Sequence, residues 1–224
     1  MRQPIFINRF YAYNPYSSRV RRFARRLPCC VLLIAACLCL GWADTWDGIR
    51  SAAADVDAIS ADFVQEKHLP ILAGPLVSRG RLYYRRPDAL RWEYTSPVQS
   101  VLLMRDGDAR RFVRFDRGLV EDDGVRLQAM QLVMPEISGW LAGRFQDNPL
   151  FEAGLQGGKK IVVLVPKDAG MGRFVQRIEL WMSQQPGVLE AVLIFESEDA
   201  FTRVVFSNTM VNPALDDRIF REVQ

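Results

Sequence analysis

The sequence predicts a mainly β protein: a long antiparallel meander with a helix at its start and a helical cover in its second half. Three observations predict it. Turn signals recur roughly every ten residues, from Gly74-Pro75 through Asp106-Gly107 to Pro186-Gly187. The runs between them are short and rich in Val, Ile, Phe, Tyr and Trp, which suit a pleated surface. One stretch, 125–145, instead carries apolar residues at helical spacing. Sequential hairpins need no crossover helices, so the meander is antiparallel. One long sheet with a greasy face must curl or be covered.

Each element follows in chain order. "RVRRFARR" (19–26) is a positive stretch, and "LPCCVLLIAACLCLGWA" (27–43) is apolar, ending in small residues. This reads as a secretory signal peptide over 1–43, with cleavage before Asp44. The apolar run is shorter than the roughly 20 residues a spanning helix needs. "LIAAC" (33–37) also resembles a lipobox, the alternative being a lipid anchor on Cys37. The stretch 44–60 reads as an amphipathic helix, with Trp46, Ile49, Ala53 and Val56 on one face. Residues 61–69 and 78–107 read as successive strands. In 125–145, Leu127, Met130, Met134, Ile137 and Leu141 step by three and four, and Pro135 ends or kinks the helix. Two readings stand for this segment, a core helix and a lid over a ligand cavity. In 173–182, Phe174, Ile178, Leu180 and Met182 share a strand face. The runs 188–195 and 201–206 are apolar on nearly both faces, as in strands buried on both sides.

Composition excludes several functions. The net charge is +3, but residues 1–43 hold seven arginines and no acidic residue. Removing those seven from 29 basic residues leaves 22 against 26 acidic ones, so the remainder carries −4. A nucleic-acid binder would keep its positive charge in the folded domain. All four cysteines (Cys29, Cys30, Cys37, Cys39) lie in the leader, which leaves no thiol or disulfide beyond it. His68 is the one histidine, so no Ser/His/Asp set can be built. Asp122-Asp123 beside Gly124 reads as a turn, and Glu196, Glu198 and Asp199 read likewise. No catalytic residue, cofactor or metal site is expected.

An ordered set of motifs carries a resemblance. "ADFVQEKHL" (61–69) is followed by "SRGRLYYRRPDALRWEYTSPVQSVLLMRDG" (78–107) and, at the end, "NPALDDRIFREV" (212–223). This resembles the LolA family of periplasmic outer-membrane lipoprotein carriers, most closely over 61–107 and in element order over 44–224. The resemblance implies an incomplete antiparallel β-barrel, or strongly curved sheet, with an N-terminal helix and a helical lid over an apolar cavity. It implies a monomeric periplasmic protein that takes lipoprotein acyl chains, or another lipid, from an inner-membrane donor complex to an outer-membrane acceptor. Lipidated LolB-like receptors share the fold, and an envelope sensor of lipid or partner is a further alternative. The physical need is plain: about 45 methylenes of a three-chain anchor, at ~0.8 kcal/mol each, cost on the order of 35 kcal/mol in water.

The expected cavity residues are Leu82, Tyr84, Leu90, Trp92, Leu102, Met104, Ile178 and Leu180, under lid residues Leu127, Met130, Met134, Ile137 and Leu141. The family places a lid-holding arginine just before the proline of the second hairpin, which is Arg86 here. Strand alternation agrees: Arg86 shares a face with Tyr84 and Leu82, while Arg85 shares the charged face of Tyr83 and Arg81. Arg85 is accordingly expected to be a solvated surface charge.

Overall fold

The computed structural model describes residues 46–116, 118–122, 136–146, 148–156 and 160–223. The signal-peptide reading, the Cys37 lipobox and the expected lid residues Leu127, Met130 and Met134 lie outside them.

Helix α1 spans Trp46–Ala54 and ends six residues before the end of the 44–60 stretch expected. Val56 N donates to Ala53 O at 3.2 Å and closes the last turn, and β1 begins at Ala58. The side chain of Asn212 sets this boundary. Its Oδ1 accepts from Asp57 N at 2.7 Å and Ala58 N at 3.1 Å, and its Nδ2 donates to Asp55 O at 2.9 Å. Val56 is buried below the helix end rather than on its face.

Among the described residues, eleven strands form one antiparallel sheet. They are β1 (Ala58–His68), β2 (Leu76–Arg85), β3 (Ala89–Ser96), β4 (Ser100–Arg105), β5 (Asp108–Phe115), β6 (Gly118–Glu121), β7 (Phe151–Gln156), β8 (Ile161–Pro166), β9 (Arg177–Met182), β10 (Leu189–Phe195) and β11 (Phe201–Val211). Their spatial order is β6-β5-β4-β3-β2-β1-β11-β10-β9-β8-β7, two meanders joined where β1 pairs with β11. Among the described residues the edges β6 and β7 do not pair, so the sheet is not closed. It is nonetheless strongly curved, because one apolar cluster takes side chains from both wings: Leu90 and Met104 on one, Leu164 and Leu180 on the other. The turns fall where their chemistry requires. Asp106 and Gly107 both adopt positive φ (52° and 79°), the conformation a two-residue hairpin needs.

The sheet buries its inner face and exposes most of its outer one, except where β3 and β4 are buried on both faces. Leu102 and Met104 enter the main core, while Val101 and Leu103 pack outward with Phe112 and Val223. The C-terminal segment thus covers the outside of this wing. The expected double burial of β11 is corrected: Val204 is its one buried residue. Its outward side chains, such as Arg203, meet solvent and the charged row of β1, Glu66 included. Phe174 is corrected too. It follows a 3-10 turn at Met171–Arg173, before β9 begins, and is 74% exposed.

A short helix α2, residues 136–141, lies between β6 and β7 in the chain. Trp140 packs edge-on against Phe151 of β7, with ring centroids 6.1 Å apart.

Candidate functional site

One end of the curved sheet is plugged by helices. The α1 residues Ala52 and Ala53 abut the β9–β10 turn at Gly187 and the chain after α2 at Gly143. Both glycines have positive φ (74° and 72°), and a Cβ on either would press into α1 within 2.6 Å. Trp46 of α1 meets Phe145, centroids 6.2 Å apart. At the same end, Arg86 Nη2 donates to Ala53 O at 2.7 Å and Nη1 to Ala54 O at 3.1 Å. Carbonyls of the last helical turn lack intrahelical donors, and a cation there complements the helix dipole.

Arg86 is expected to hold the backbone of the 125–145 lid, of which 125–135 lie outside the described residues. Among the described residues its guanidinium clasps the carboxyl end of α1. Arg86 lies one residue beyond the end of β2, so strand alternation does not govern its direction. Its backbone N donates to Asp57 O at 2.8 Å, which brings it under the helix–strand junction.

A cavity of about 1080 Å³ opens toward the other end. Its size is at the top of the ~300–1,000 Å³ range of small-molecule pockets. Leu82 and Trp92 line it from one wing, Val192, Ile194, Val204 and Phe206 from the other, and Ile137, Trp140 and Leu141 from α2. Several of its polar groups are paired, while the indole nitrogens of Trp92 and Trp140 are buried without a partner among the described residues. Gln65 accepts from Tyr94 Oη at 2.8 Å, Lys67 meets Glu196 at 3.0 Å, and Arg111 is bonded to Asp122. Burial pushes the Tyr94 hydroxyl above its ordinary pKa, so it stays a neutral donor.

Of the expected residues, the structure brings Leu82, Trp92, Ile137 and Leu141 together at this cavity. Tyr84, Leu90, Leu102, Met104, Ile178 and Leu180 are placed differently. All six are buried in the continuous core beside it rather than on its wall. Tyr84 and Leu90 pair across β2 and β3 next to the helical plug, and both are fully buried. Burial raises the Tyr84 hydroxyl pKa, with nearby Arg86 and Arg144 pulling it the other way. The β10 and β11 wall was missed. Its signal was present: Val192 with Ile194, and Val204 with Phe206, alternate with period two.

Arg85 is not the solvated charge expected. It pairs with Asp217, and its guanidinium lies 4.9 Å from the Phe220 ring centroid. Asp217 also accepts from Arg105 at 3.1 Å and meets Arg221 at 2.6 Å. Hydrogen bonds from Arg85 and then Arg105 hold its carboxyl below the ordinary pKa. Arg91, 9% exposed, donates from Nη1 to Ile219 O (3.1 Å) and Glu222 O (2.8 Å). These arginines fasten the C-terminal segment to the outer face. His68 stacks on Phe201, centroids 4.3 Å apart.

A curved, unclosed sheet wrapped round an apolar cavity and plugged by helices is the architecture of a binder of hydrophobic ligands. The chain belongs to the LolA family: the family model described as outer membrane lipoprotein carrier protein LolA matches residues 54–222. Proteins of this family are carriers or binders, not enzymes. A relative from Nitrosomonas europaea named outer-membrane lipoprotein carrier protein is 27% identical over 145 residues, 63% of this chain and 66% of the relative. Among solved structures, the chain is similar to a LolA superfamily protein from Nitrosomonas europaea, at 13% identity and a TM-score of 0.42, covering 80% of this chain and 98% of that one. It is similar to an uncharacterized conserved protein from Thermus thermophilus, at 9% identity and a TM-score of 0.47, covering 80% and 91%. It is also similar to the Pseudomonas aeruginosa MucA/MucB complex, at 17% identity and a TM-score of 0.40, covering 80% and 60%.

Proposed function

We propose that this protein is a periplasmic carrier. It shelters the acyl chains of lipoproteins, or of a related amphiphile, and shuttles them from an inner-membrane donor to an outer-membrane acceptor. The observation that carries this reading is the apolar cavity of about 1080 Å³ in a LolA-family fold. Residues 1–43 serve as the export signal and 44–224 as the carrier domain. The lid segment, with Leu127, Met130 and Met134, closes over the chains beside Ile137 and Leu141. Arg86 is the latch of this helical cover, acting through the end of α1. Loading and release need no covalent step, only a different affinity for the chains in the two states of the cover.

The test is native mass spectrometry of the protein isolated from an envelope extract, followed by titration with a fluorescent fatty-acyl probe. Bound lipid or lipoprotein is expected, with probe displacement by acyl chains. A protein that is empty and ignores the probe overturns the reading. Incorporation of a palmitate analogue at Cys37 would replace the soluble carrier by the anchored receptor.

A further inference from the structure

Exposed apolar side chains are not spread evenly over this molecule. The strand registers place the β1–β2, β3–β4, β5–β6 and β10–β11 turns at one end of the sheet, together with the β8–β9 connection. That is the end opposite the helical plug. Ile71 (90% exposed), Leu72, Leu76, Val77, Val98 and Phe174 all project there. The turns at the plugged end, residues 86–88, 106–107 and 183–187, are polar, with Trp181 and Met210 exposed on the strands near them; at the opposite end the β10–β11 turn is acidic, with Glu196, Glu198 and Asp199.

The β1–β2 tip is the extreme case. Residues 69–77 read "LPILAGPLV", and none of these side chains can donate or accept a hydrogen bond. Leu72 N donates to Leu69 O at 3.0 Å, and Pro70 and Pro75 stiffen the loop, so the tip is shaped in advance. Leu76 and Val77 are exposed and also line the cavity, as do Pro97 and Val98 of the neighbouring turn. Apolar surface therefore runs without a break from the cavity wall to the outermost tip.

We propose that the β1–β2 and β3–β4 tips, with the chain at Phe174, form a membrane-docking face, and that its occupant is the surface of a lipid bilayer. A protein partner meets its target through a polar rim and about one hydrogen bond per 100–200 Å². A tip with no polar side-chain atom offers such a partner only its backbone groups and no polar rim. Separate projecting turns sink into a fluid acyl boundary, where backbone polar groups stay near the headgroups and apolar side chains enter hydrocarbon. Docked this way, the cavity mouth faces the membrane, and a chain passes between bilayer and cavity over apolar surface throughout. No helix among the described residues is long and apolar enough to cross a membrane. The inference builds on the reading of the cavity as a lipid site and is tested apart from it.

Amide hydrogen exchange of the full chain should be measured with and without vesicles of phosphatidylethanolamine and phosphatidylglycerol. Vesicles are expected to slow exchange at 69–77, 97–99 and 172–175 and to leave 86–88, 106–107 and 183–187 unchanged. The double substitution Ile71→Asp with Leu72→Asp should abolish that protection while acyl-probe uptake persists, because neither residue lines the cavity. Comparing the two ends within one molecule separates docking by the fold from any tethering by the apolar leader. Equal protection at both ends, or none at the tips, overturns the proposal. So does tip protection that rises with protein concentration without vesicles, which would signal a second copy of the chain. Lost probe uptake with tip protection intact would sink the cavity reading alone.

Discussion

Arg85 and Arg86 are adjacent yet hold different parts of the molecule. Arg86 caps the carboxyl end of α1 through two hydrogen bonds. A bond to a charged donor is worth about 1.5–3 kcal/mol, less where solvent reaches it. Arg86→Leu is therefore expected to loosen α1, seen as faster amide exchange over 46–54, and to alter release of a bound acyl probe. Unchanged exchange in α1 would remove the latch role. Arg91 is more deeply buried, and Arg91→Ala should cost on the order of 2–3 kcal/mol in urea unfolding by stripping donors from Ile219 O and Glu222 O. Gly80 is a third position of this kind. A Cβ there would collide with Glu93 O and the Phe63 ring, which lies across the strand. Gly80→Ala should lower Tm through overpacking worth about 1–3 kcal/mol, and an unshifted Tm would show that the ring swings away freely.

At the scale of elements, the C-terminal segment is a strap. It gives β4 its second buried face and gathers Arg85, Arg105 and Arg221 around Asp217. The folded-state pKa of Asp217 is depressed, so its contribution is complete above the ordinary carboxylate value of about 3.9 and is lost as pH falls through the folded value. Limited proteolysis from pH 6 downward should show the strap released only on the acid side of that value. Asp217→Asn should be released already at pH 6. A wild-type strap that stays protected through the acid range would mean that Arg91 and Val223 suffice without the charge. Helix α1 shows the same dependence on distant chain. Its end is set by Asn212, which no helical periodicity in 44–60 could reveal.

Over the described molecule, helices plug one end of the sheet and the apolar β1–β2 tip stands at the other, where the cavity opens. The cavity wall can be tested without disturbing either. Val204 is buried, lines the cavity and sits on a central strand. Val204→Trp should fill the space and weaken acyl-probe binding at least about tenfold, roughly 1.4 kcal/mol, with the circular dichroism of the sheet retained. Full probe affinity in that variant would place the chains elsewhere.

The sequence by itself determined the β meander, the turn positions, the inward facing of Leu82 and Trp92, and the family. Those features are local: pleat alternation and turn chemistry act over a few residues, and an ordered set of motifs is readable along a line. Tertiary structure alone decided which inward residues line space and which fill it. Leu82 and Tyr84 share one strand face, but the helical plug packs out one end of the curved sheet and leaves the other hollow. It also decided the partners of the arginines. Arg85 looked solvated because its covering residues, Asp217 and Phe220, lie more than a hundred positions away, and only the folded chain brings them onto the outer face.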